Sequence, residues 1–265
     1  MSRIQTVFSA LKAKHKKALI PYITAGDPHP NQTVAILHTL VKNGADMIEL
    51  GIPFSDPMAD GPVIQRASER ALVHKVGLSK VLQMVKEFRQ TDTQTPIILM
   101  GYANPIEAMG AEKFTLAAND AGVDGVLTVD YPPEECKEFI AGLQAANMDS
   151  IFLLSPTSDA ARVDLIVKQA SGFLYYVSLK GVTGAANMDV EQVKARVAEI
   201  RSKTNLPIGV GFGVKDAATA KRVAEFADAI VVGSRMVVTI ENSTEENLMH
   251  NISQLMQELR LAIDA

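Results

Sequence analysis

The feature that most constrains the fold of this chain is a repeat of eight short apolar runs, separated by longer stretches with helical periodicity. The runs are at 18–24, 46–51, 96–102, 124–130, 149–155, 173–178, 207–213 and 228–234. Continuous apolar runs are typical of parallel strands that are buried on both faces by crossover helices. Eight such units predict a closed (β/α)8 TIM barrel, and 265 residues is close to the ~250 residues of that fold. We therefore expect one domain spanning 1–265.

The stretches between the runs repeat apolar residues every 3.6 positions, most clearly at 78–88 and 217–227, and we expect extra short helices in the βα loops. The first residues place Ile4 and Phe8 on one helix face, which predicts an N-terminal cap helix. The alternative fold is a doubly wound open sheet. Its first βα turn would carry a glycine-rich fingerprint, whereas the sequence "GVGFG" at 209–213 has the wrong spacing and comes too late.

Composition and charge exclude several classes of function. The net charge is −4 and basic residues are dispersed, which argues against a nucleic-acid interface. No apolar stretch approaches the ~18 residues of a membrane span, and lysines follow the first helix where a signal peptide needs its cleavage site. Cys136 is the only cysteine, so we interpret it as a packing residue. We expect a cytoplasmic protein.

One acidic residue, Glu49, interrupts the second apolar run. Strand alternation would point Ile48 and Leu50 toward the helices and Glu49 into the barrel, near the strand end where TIM-barrel active sites lie. The alternative is a buried ion pair, because glutamate is rarely buried without a partner. Few basic residues follow the other strands, so we predict that burial raises the pKa of Glu49 and suits it to acid and base catalysis.

The segment after this run is a proline-rich loop with two further acids. Pro53, Pro57 and Pro62 stiffen it, so the loop could hold Asp60 over the barrel mouth. Spacing alone does not separate that role from an ordinary solvated aspartate. Asp56 stands in Ser-Asp-Pro, which is a common turn signal.

Glycines cluster at the ends of the last three runs, in "KGVTGAAN", "GFGVKDA" and "VGSRM". Their amides could converge on one anion, as in the barrel phosphate site formed after strands seven and eight. The alternative is that each glycine only relieves a tight turn. Because the three glycine clusters would lie at adjacent corners of the barrel, we favour a phosphate site over three unrelated tight turns.

Other kinds of catalytic site find little support in the sequence. The five histidines and the cysteine lack metal-ligand spacing, so we expect no metal. No Gly-x-Ser-x-Gly elbow is present. Lys180, after the sixth run, stays open as a Schiff-base lysine.

Six segments in barrel order carry a family resemblance. The most specific is "IELGIPFSDPMADG" at 48–61; the others are "YITAGDP", "LMGYANP", "VDYPPEE", "KGVTGA" and "GVGFGV". With them the chain resembles the alpha subunits of tryptophan synthase over essentially its whole length. It departs from familiar members at Tyr22 and Met100, where Phe and Leu are common, and at Leu179 and Lys180, where many have an Arg after the Ser.

The resemblance implies a carbon–carbon lyase that cleaves indole-3-glycerol phosphate to indole and glyceraldehyde 3-phosphate, a retro-aldol reaction of tryptophan biosynthesis that needs no cofactor in this chain. It implies that Glu49 moves protons at the indole C3 and the glycerol hydroxyl, while Asp60 accepts the indole N–H and stabilises positive charge on the ring. The implied phosphate ligands are Gly184, Gly213, Gly233 and Ser234. The implied indole and glycerol pocket is formed by Tyr22, Met100, Leu127, Leu153, Tyr175, Thr183 and Phe212.

The resemblance also implies a partner: a pyridoxal-phosphate-dependent beta subunit that receives the indole in an α2β2 assembly. Its contact residues would be at the barrel mouth, at Asp56, Pro57, Asn104 and Pro132. Two alternatives are another phosphate-binding barrel of aromatic amino-acid biosynthesis and a regulatory barrel without turnover. The first leaves the Phe-Ser-Asp-Pro loop unexplained, and the presence of both Glu49 and Asp60 argues against the second.

Overall fold

The strands close into a parallel barrel in chain order in this computed structural model, which describes residues 2–177, 189–211 and 213–265. They are β1 (Ala18–Thr24), β2 (Ile48–Gly51), β3 (Ile97–Gly101), β4 (Gly125–Thr128), β5 (Asp149–Leu154), β6 (Leu174–Val177), β7 (Ile208–Gly211) and β8 (Ala229–Val232). Each lies inside the apolar run that predicted it. The TIM-barrel prediction is confirmed, and the open-sheet alternative is excluded because β8 pairs with β1.

Helices surround the barrel, and the extra short helices expected in the βα loops are present at Ala103–Met109 and Ser234–Glu241, with a longer extra helix at Pro62–Val73. The helices are α1 (Arg3–Ala13), α2 (Thr33–Lys42), α3 (Pro62–Val73), α4 (Leu78–Phe88), α5 (Ala103–Met109), α6 (Ala111–Ala121), α7 (Lys137–Ala145), α8 (Ala160–Gln169), α9 (Val190–Arg201), α10 (Ala217–Ala224), α11 (Ser234–Glu241) and α12 (Leu248–Asp264). In the described residues, no helix combines the length and apolarity that a membrane span requires.

The predicted cap helix, α1, closes the amino-terminal end of the barrel. The side chain of Ser2 caps its first turn by accepting a hydrogen bond from the Gln5 amide. Ile4 and Phe8 are buried and join the apolar cluster inside the barrel, where the Phe8 ring centroid lies 5.8 Å from that of Phe173. The barrel is therefore plugged at this end, and a ligand can enter only from the other.

Four of the apolar runs begin with an aspartate, and these aspartates lie at the amino-terminal ends of the strands. Three of them each accept a hydrogen bond from the amide of the preceding strand and another from an arginine. The sets are Asp46 with Leu19 and Arg260, Asp124 with Ile97 and Arg89, and Asp228 with Ile208 and Arg201. Asp149 instead accepts from the Ser2 hydroxyl at 2.5 Å. We call these four residues the amino-terminal aspartates; they join neighbouring strands and helices.

Two apolar layers follow from strand alternation. Outward-facing side chains such as Leu19 and Ile48 pack against the helices, in the cluster that also buries Cys136 and confirms it as a packing residue. In the inner layer, Gly211 of β7 leaves room for the Tyr175 hydroxyl, which occupies the space that a Cβ at this position would need. The glycines of "GVGFG" therefore include one that serves internal packing.

Candidate active site

Glu49 points into the barrel from β2, as alternation predicted, between Tyr22 on β1 and Ile98 on β3. Its exposed fraction is 1%, and it lines a cavity at the carboxyl-terminal end of the barrel. Neither carboxylate oxygen has a hydrogen-bond partner in the described part of the chain, so the ion-pair alternative has no support there. Burial raises the pKa of Glu49 to about 8, and the nearby charge of Asp60 adds to the shift.

Asp60 lines the same cavity, which answers the question that spacing left open. The loop is held by bonds at its end: the Asp60 amide donates to the Pro57 carbonyl at 3.0 Å, and Gln65 Nε2 donates to the Asp60 carbonyl at 2.8 Å. The Tyr102 hydroxyl donates to Asp60 Oδ2 at 3.1 Å. Burial raises the pKa of Asp60, and this hydrogen bond opposes the rise because it favours the carboxylate.

The walls of the cavity are largely apolar. Of the pocket residues expected from the resemblance, Tyr22, Met100 and Tyr175 line it. Leu127 is fully buried in the inner apolar cluster and Leu153 packs against that cluster, but neither lines the cavity. Thr183 and Phe212 lie outside the described residues. Three further lining residues were not predicted: Ile64, Val214 and Val231.

The two tyrosines give this apolar wall a polar edge. The Tyr22 hydroxyl lies 3.2 Å from Thr24 Oγ1 and occupies the space that a side chain at Gly51 would need. Burial raises the pKa values of Tyr22 and Tyr175 above the ordinary range for tyrosine, with smaller contributions from Asp60 and Glu49. Both phenols are therefore neutral across the physiological pH range.

The cavity is also lined by residues whose backbone amides the resemblance assigned to phosphate binding. Gly213, Gly233 and Ser234 all line the cavity, so the structure brings together three of the four expected phosphate ligands; Gly184 lies outside the described residues. Gly233 precedes α11 without a side-chain cap, so the first amides of this helix are free of a capping side chain. Gly213 has φ +81°, in the left-handed region that favours glycine.

Comparison with known proteins agrees with this geometry. The family model described as tryptophan synthase alpha chain matches residues 8–263. The chain belongs to the tryptophan synthase alpha chain family. The alpha chains of Cupriavidus taiwanensis and Herminiimonas arsenicoxydans are 59% identical over 265 residues and 60% over 264, each across the full length of both chains.

Solved structures give the same result. The tryptophan synthase subunit alpha of Legionella pneumophila superposes with a TM-score of 0.94 at 47% identity and covers 100% of this chain and 99% of its own. A chain of tryptophan synthase from Mycobacterium tuberculosis, in an aminoacrylate-bound form, has a TM-score of 0.89 at 31% identity, over 99% and 100% of the two chains. The role of this alpha chain family is the cleavage of indole-3-glycerol phosphate in tryptophan biosynthesis.

Tyr102 contacts Asp60 but was not among the functional residues predicted from the sequence. It follows β3, has an exposed fraction of 3%, and packs against Phe54 with ring centroids 5.2 Å apart and the rings tilted by 31°. Besides donating to Asp60, its hydroxyl accepts a hydrogen bond from the Ala59 amide at 3.1 Å. Tyr102 therefore fixes both the backbone and the carboxylate of the loop that carries Asp60.

The expected partner contacts lie outside the cavity. Asp56 and Asn104 are exposed, and Pro57 and Pro132 are half-buried. Asn104 lies in the first turn of α5, whose leading amide, at Ala103, donates to Asp130 Oδ1 at 2.7 Å. Met58, in the same loop as Asp56, is 78% exposed and adds apolar surface.

A metal centre has no support in the described ranges, where no group of three or more His, Cys, Asp and Glu could hold an ion. Lys180 lies in 178–188, outside the described residues.

Proposed function

We propose that the cavity is the place where indole-3-glycerol phosphate is cleaved and that Glu49 is the group that moves protons there, which makes the chain a carbon–carbon lyase. The observation that carries this proposal is that Glu49 is buried against the cavity with no hydrogen-bond partner in the described residues. A buried polar group without a partner costs free energy, so a role in proton transfer explains its presence.

The protonation state of Glu49 suits the first step of a retro-aldol cleavage. With a pKa of about 8, the side chain is a neutral acid near pH 7. It can donate its proton to the indole C3, which makes the carbon–carbon bond labile, and the resulting carboxylate can then accept the proton of the glycerol hydroxyl as the bond breaks. Glu49 ends the cycle protonated, as it began, and the net proton transfer is from oxygen to C3.

Asp60 serves the opposite end of the electron flow. Protonation at C3 leaves positive charge on the indole ring, centred at its nitrogen. The Asp60 carboxylate would accept the indole N–H and stabilise that charge, and the hydrogen bond from Tyr102 helps to keep the carboxylate ionised. The two acids differ because Glu49 lacks such a bond, so the proton is held by Glu49 and the charge by Asp60.

The phosphate of the substrate would bind at the amides of Gly213, Gly233 and Ser234, with the dipole of α11 directed at it. These residues share one cavity with both acids. An anion at a helix N-terminus is stabilised by free amides and by the helix dipole. Anchoring the phosphate there would orient the indole toward Glu49 and Asp60.

The partner would be a beta subunit in an α2β2 complex, with pyridoxal phosphate in that subunit and no cofactor in this chain. Support comes from the family, in which the chain is one component of tryptophan synthase, and from the exposed surface around Asp56, Pro57, Asn104 and Pro132 at the barrel mouth. Docking there would place the departing indole against the partner. We place the complex in the cytoplasm, with 1–265 as one domain.

The test is an assay of indole release from indole-3-glycerol phosphate by the purified chain, alone and with a cognate beta subunit. We expect slow release alone and faster release in the complex, because docking would exclude water from the cavity and add contacts to the loop that carries Asp60. Asp60→Asn should lower kcat by about 10²- to 10³-fold with a smaller change in KM. Absence of indole release under both conditions would favour the regulatory-barrel alternative.

A further inference from the structure

Two helices begin at the two chemically different sides of the cavity. Asp60 lies just before α3, which starts at Pro62, and Gln65 of α3 holds the Asp60 carbonyl. Ser234, at the proposed phosphate site, is the first residue of α11. The relative position of α3 and α11 therefore determines the distance between the proposed anion site and the Asp60 carboxylate.

An apolar seam joins these helices directly beneath the cavity. Ile64 and Ala67 of α3 form a buried cluster with Val237 of α11 and Tyr22 of β1. Apolar packing of this kind excludes water but has little directional preference, so it permits small sliding between helices. A directional contact is needed to fix their register.

That contact is an ion-pair network between the middle and last turn of α3 and the carboxyl-terminal end of α11. Glu241, the last residue of α11, accepts from Arg66 Nε and Nη2 at 2.8 Å each and from Arg70 Nη1 at 2.7 Å. Arg70 also donates to both carboxylate oxygens of Asp27, at 2.6 and 3.0 Å. Asp27 follows β1 and its side chain is fully buried. Two arginines and two acids thus link α3, α11 and β1.

The geometry of this network is more specific than that of a surface ion pair. Both Arg66 and Arg70 bind a carboxylate in two-pronged fashion, which constrains orientation as well as distance. Glu241 stands at the carboxyl-terminal end of α11, where the helix dipole disfavours an acid. The hydrogen bonds from Arg66 lead the interactions that lower the pKa of Glu241 to about 2, so it is a carboxylate at all physiological pH values.

We propose that Arg66, Arg70 and Glu241 are positioning residues that hold Asp60 in register with the anion-binding end of α11. The inference rests on the proposed function, because the network would keep fixed the distance between the substrate phosphate and the Asp60 carboxylate. It predicts that weakening the network lowers kcat while the phosphate, bound by α11 itself, keeps its affinity.

The test substitution is Glu241→Gln, which keeps the shape of the side chain and removes its charge. We expect kcat for indole release to fall by about 10- to 100-fold, as for a displacement near 1 Å, and KM and inhibition by inorganic phosphate to change less than threefold, roughly. Asp120→Asn is the matched control, since Asp120 also accepts from a cation, Lys86, on a neighbouring helix, and neither residue lines the cavity. It should leave kcat unchanged.

A double substitution separates positioning from a general loss of structure. If Glu241 acts through Asp60, then Glu241→Gln should have little further effect on kcat in an Asp60→Asn background, although it lowers kcat in the parent chain. If Glu241→Gln does not fold, Arg66→Met tests the same idea, because Arg66 is half-exposed and its loss leaves the Arg70 pairs in place.

Two results would overturn the inference. The first is an unchanged kcat in the folded single variants. The second is that Glu241→Gln lowers kcat by the same factor in the parent chain and in the Asp60→Asn background. Neither result affects the proposed function, which is tested separately by indole release from the parent chain.

Discussion

The two ends of the barrel both bury carboxylates but treat them differently. At the amino-terminal end, Asp124 accepts hydrogen bonds from the Ile97 amide, Arg89 and Arg3. At the carboxyl-terminal end, Glu49 is as deeply buried and has no hydrogen-bond partner in the described residues. A partnered carboxylate can support the fold, whereas an unpartnered one opposes it. The difference indicates which end serves stability and which serves chemistry.

The sharpest test of this comparison is Glu49→Gln, which keeps the shape of the side chain and removes its ability to transfer a proton. Turnover should fall by at least about 10² to 10⁴, as for the loss of a general acid or base. The fold should survive, because the neutral amide replaces an acid that is itself neutral near pH 7. Steady-state kinetics beside a thermal melt measure both effects, and near-normal kcat would remove Glu49 from the proposed mechanism.

The reverse experiment is Asp124→Asn at the other end of the barrel. It removes the nearer counter-charge of the almost buried Arg89 and leaves only Asp92, whose Oδ1 lies 3.9 Å from Arg89 Nη1. The free energy of unfolding should therefore fall by about 3 kcal/mol, the lower end for a broken buried pair, because Asp92 remains and Arg3 is partly solvated. The kcat per folded molecule should not change. Asp120→Asn, an exposed paired aspartate, should cost less than about 1 kcal/mol in the same denaturant titration. A large loss of kcat with normal stability would reverse the roles assigned to the two ends.

The pH dependence of stability reports the protonation of Glu49 in the unmodified chain. Between 4.5, the ordinary pKa of a glutamate side chain, and its pKa of about 8 in the folded chain, the folded chain keeps a proton on Glu49 that the unfolded chain has lost. Stability should therefore fall as pH rises through this window, with Glu49 contributing at most about 1.4 kcal/mol per pH unit. Outside the window it contributes no slope.

Denaturant titrations at pH 6 and pH 8 check this, with Glu49→Gln beside the parent chain. The variant should gain stability relative to the parent at the higher pH. Glu258→Gln, at an exposed position on α12, is the control and should show no such gain. A constant difference between Glu49→Gln and the parent at both pH values would mean that the buried acid does not hold its proton in the folded state.

The smallest expected effect is that of Tyr102→Phe, which keeps the ring packed against Phe54 and removes the hydroxyl that holds Asp60. Loss of such a hydrogen bond, worth about 0.5 to 1.5 kcal/mol, should lower kcat by roughly two- to tenfold. Tyr131→Phe removes a hydroxyl bonded to Glu107 and should leave kcat unchanged. Equal kcat in the two variants would show that Asp60 needs no support from Tyr102.

The sequence was most informative where a local period determines direction. The alternation of β2 alone placed Glu49 inside the barrel, and the amphipathic spacing of Ile4 and Phe8 identified the cap helix. These predictions needed no knowledge of distant residues, because each depends on neighbours within one element.

Contacts between distant elements were out of reach. Tyr102 and Asp60 are 42 residues apart, and no spacing rule connects them. Loop residues have no period, so the orientation of Asp60 stayed open until the barrel brought it beside Glu49. The glycines of "GVGFG" were ambiguous for the same reason, since the space at Gly211 is defined by Tyr175 on another strand. Alternation along β8 could have predicted that Val231 lines the cavity. The position of Ile64 could not be predicted, because it depends on how α3 packs against the barrel.

The cap helix has a consequence for the order of events during turnover. Because Ile4 and Phe8 fill the amino-terminal end, substrate and both products must pass through a single opening. In the proposed site, indole would lie nearer the acids, while glyceraldehyde 3-phosphate would be retained by the amides at α11. A subunit that covers the opening therefore controls both the entry of substrate and the release of products. The phosphate ester must bind before the subunit docks tightly. The product that the subunit does not accept can leave only after the subunit has loosened. Release of the aldehyde, rather than cleavage, would then set the pace of a complex whose mouth stays closed.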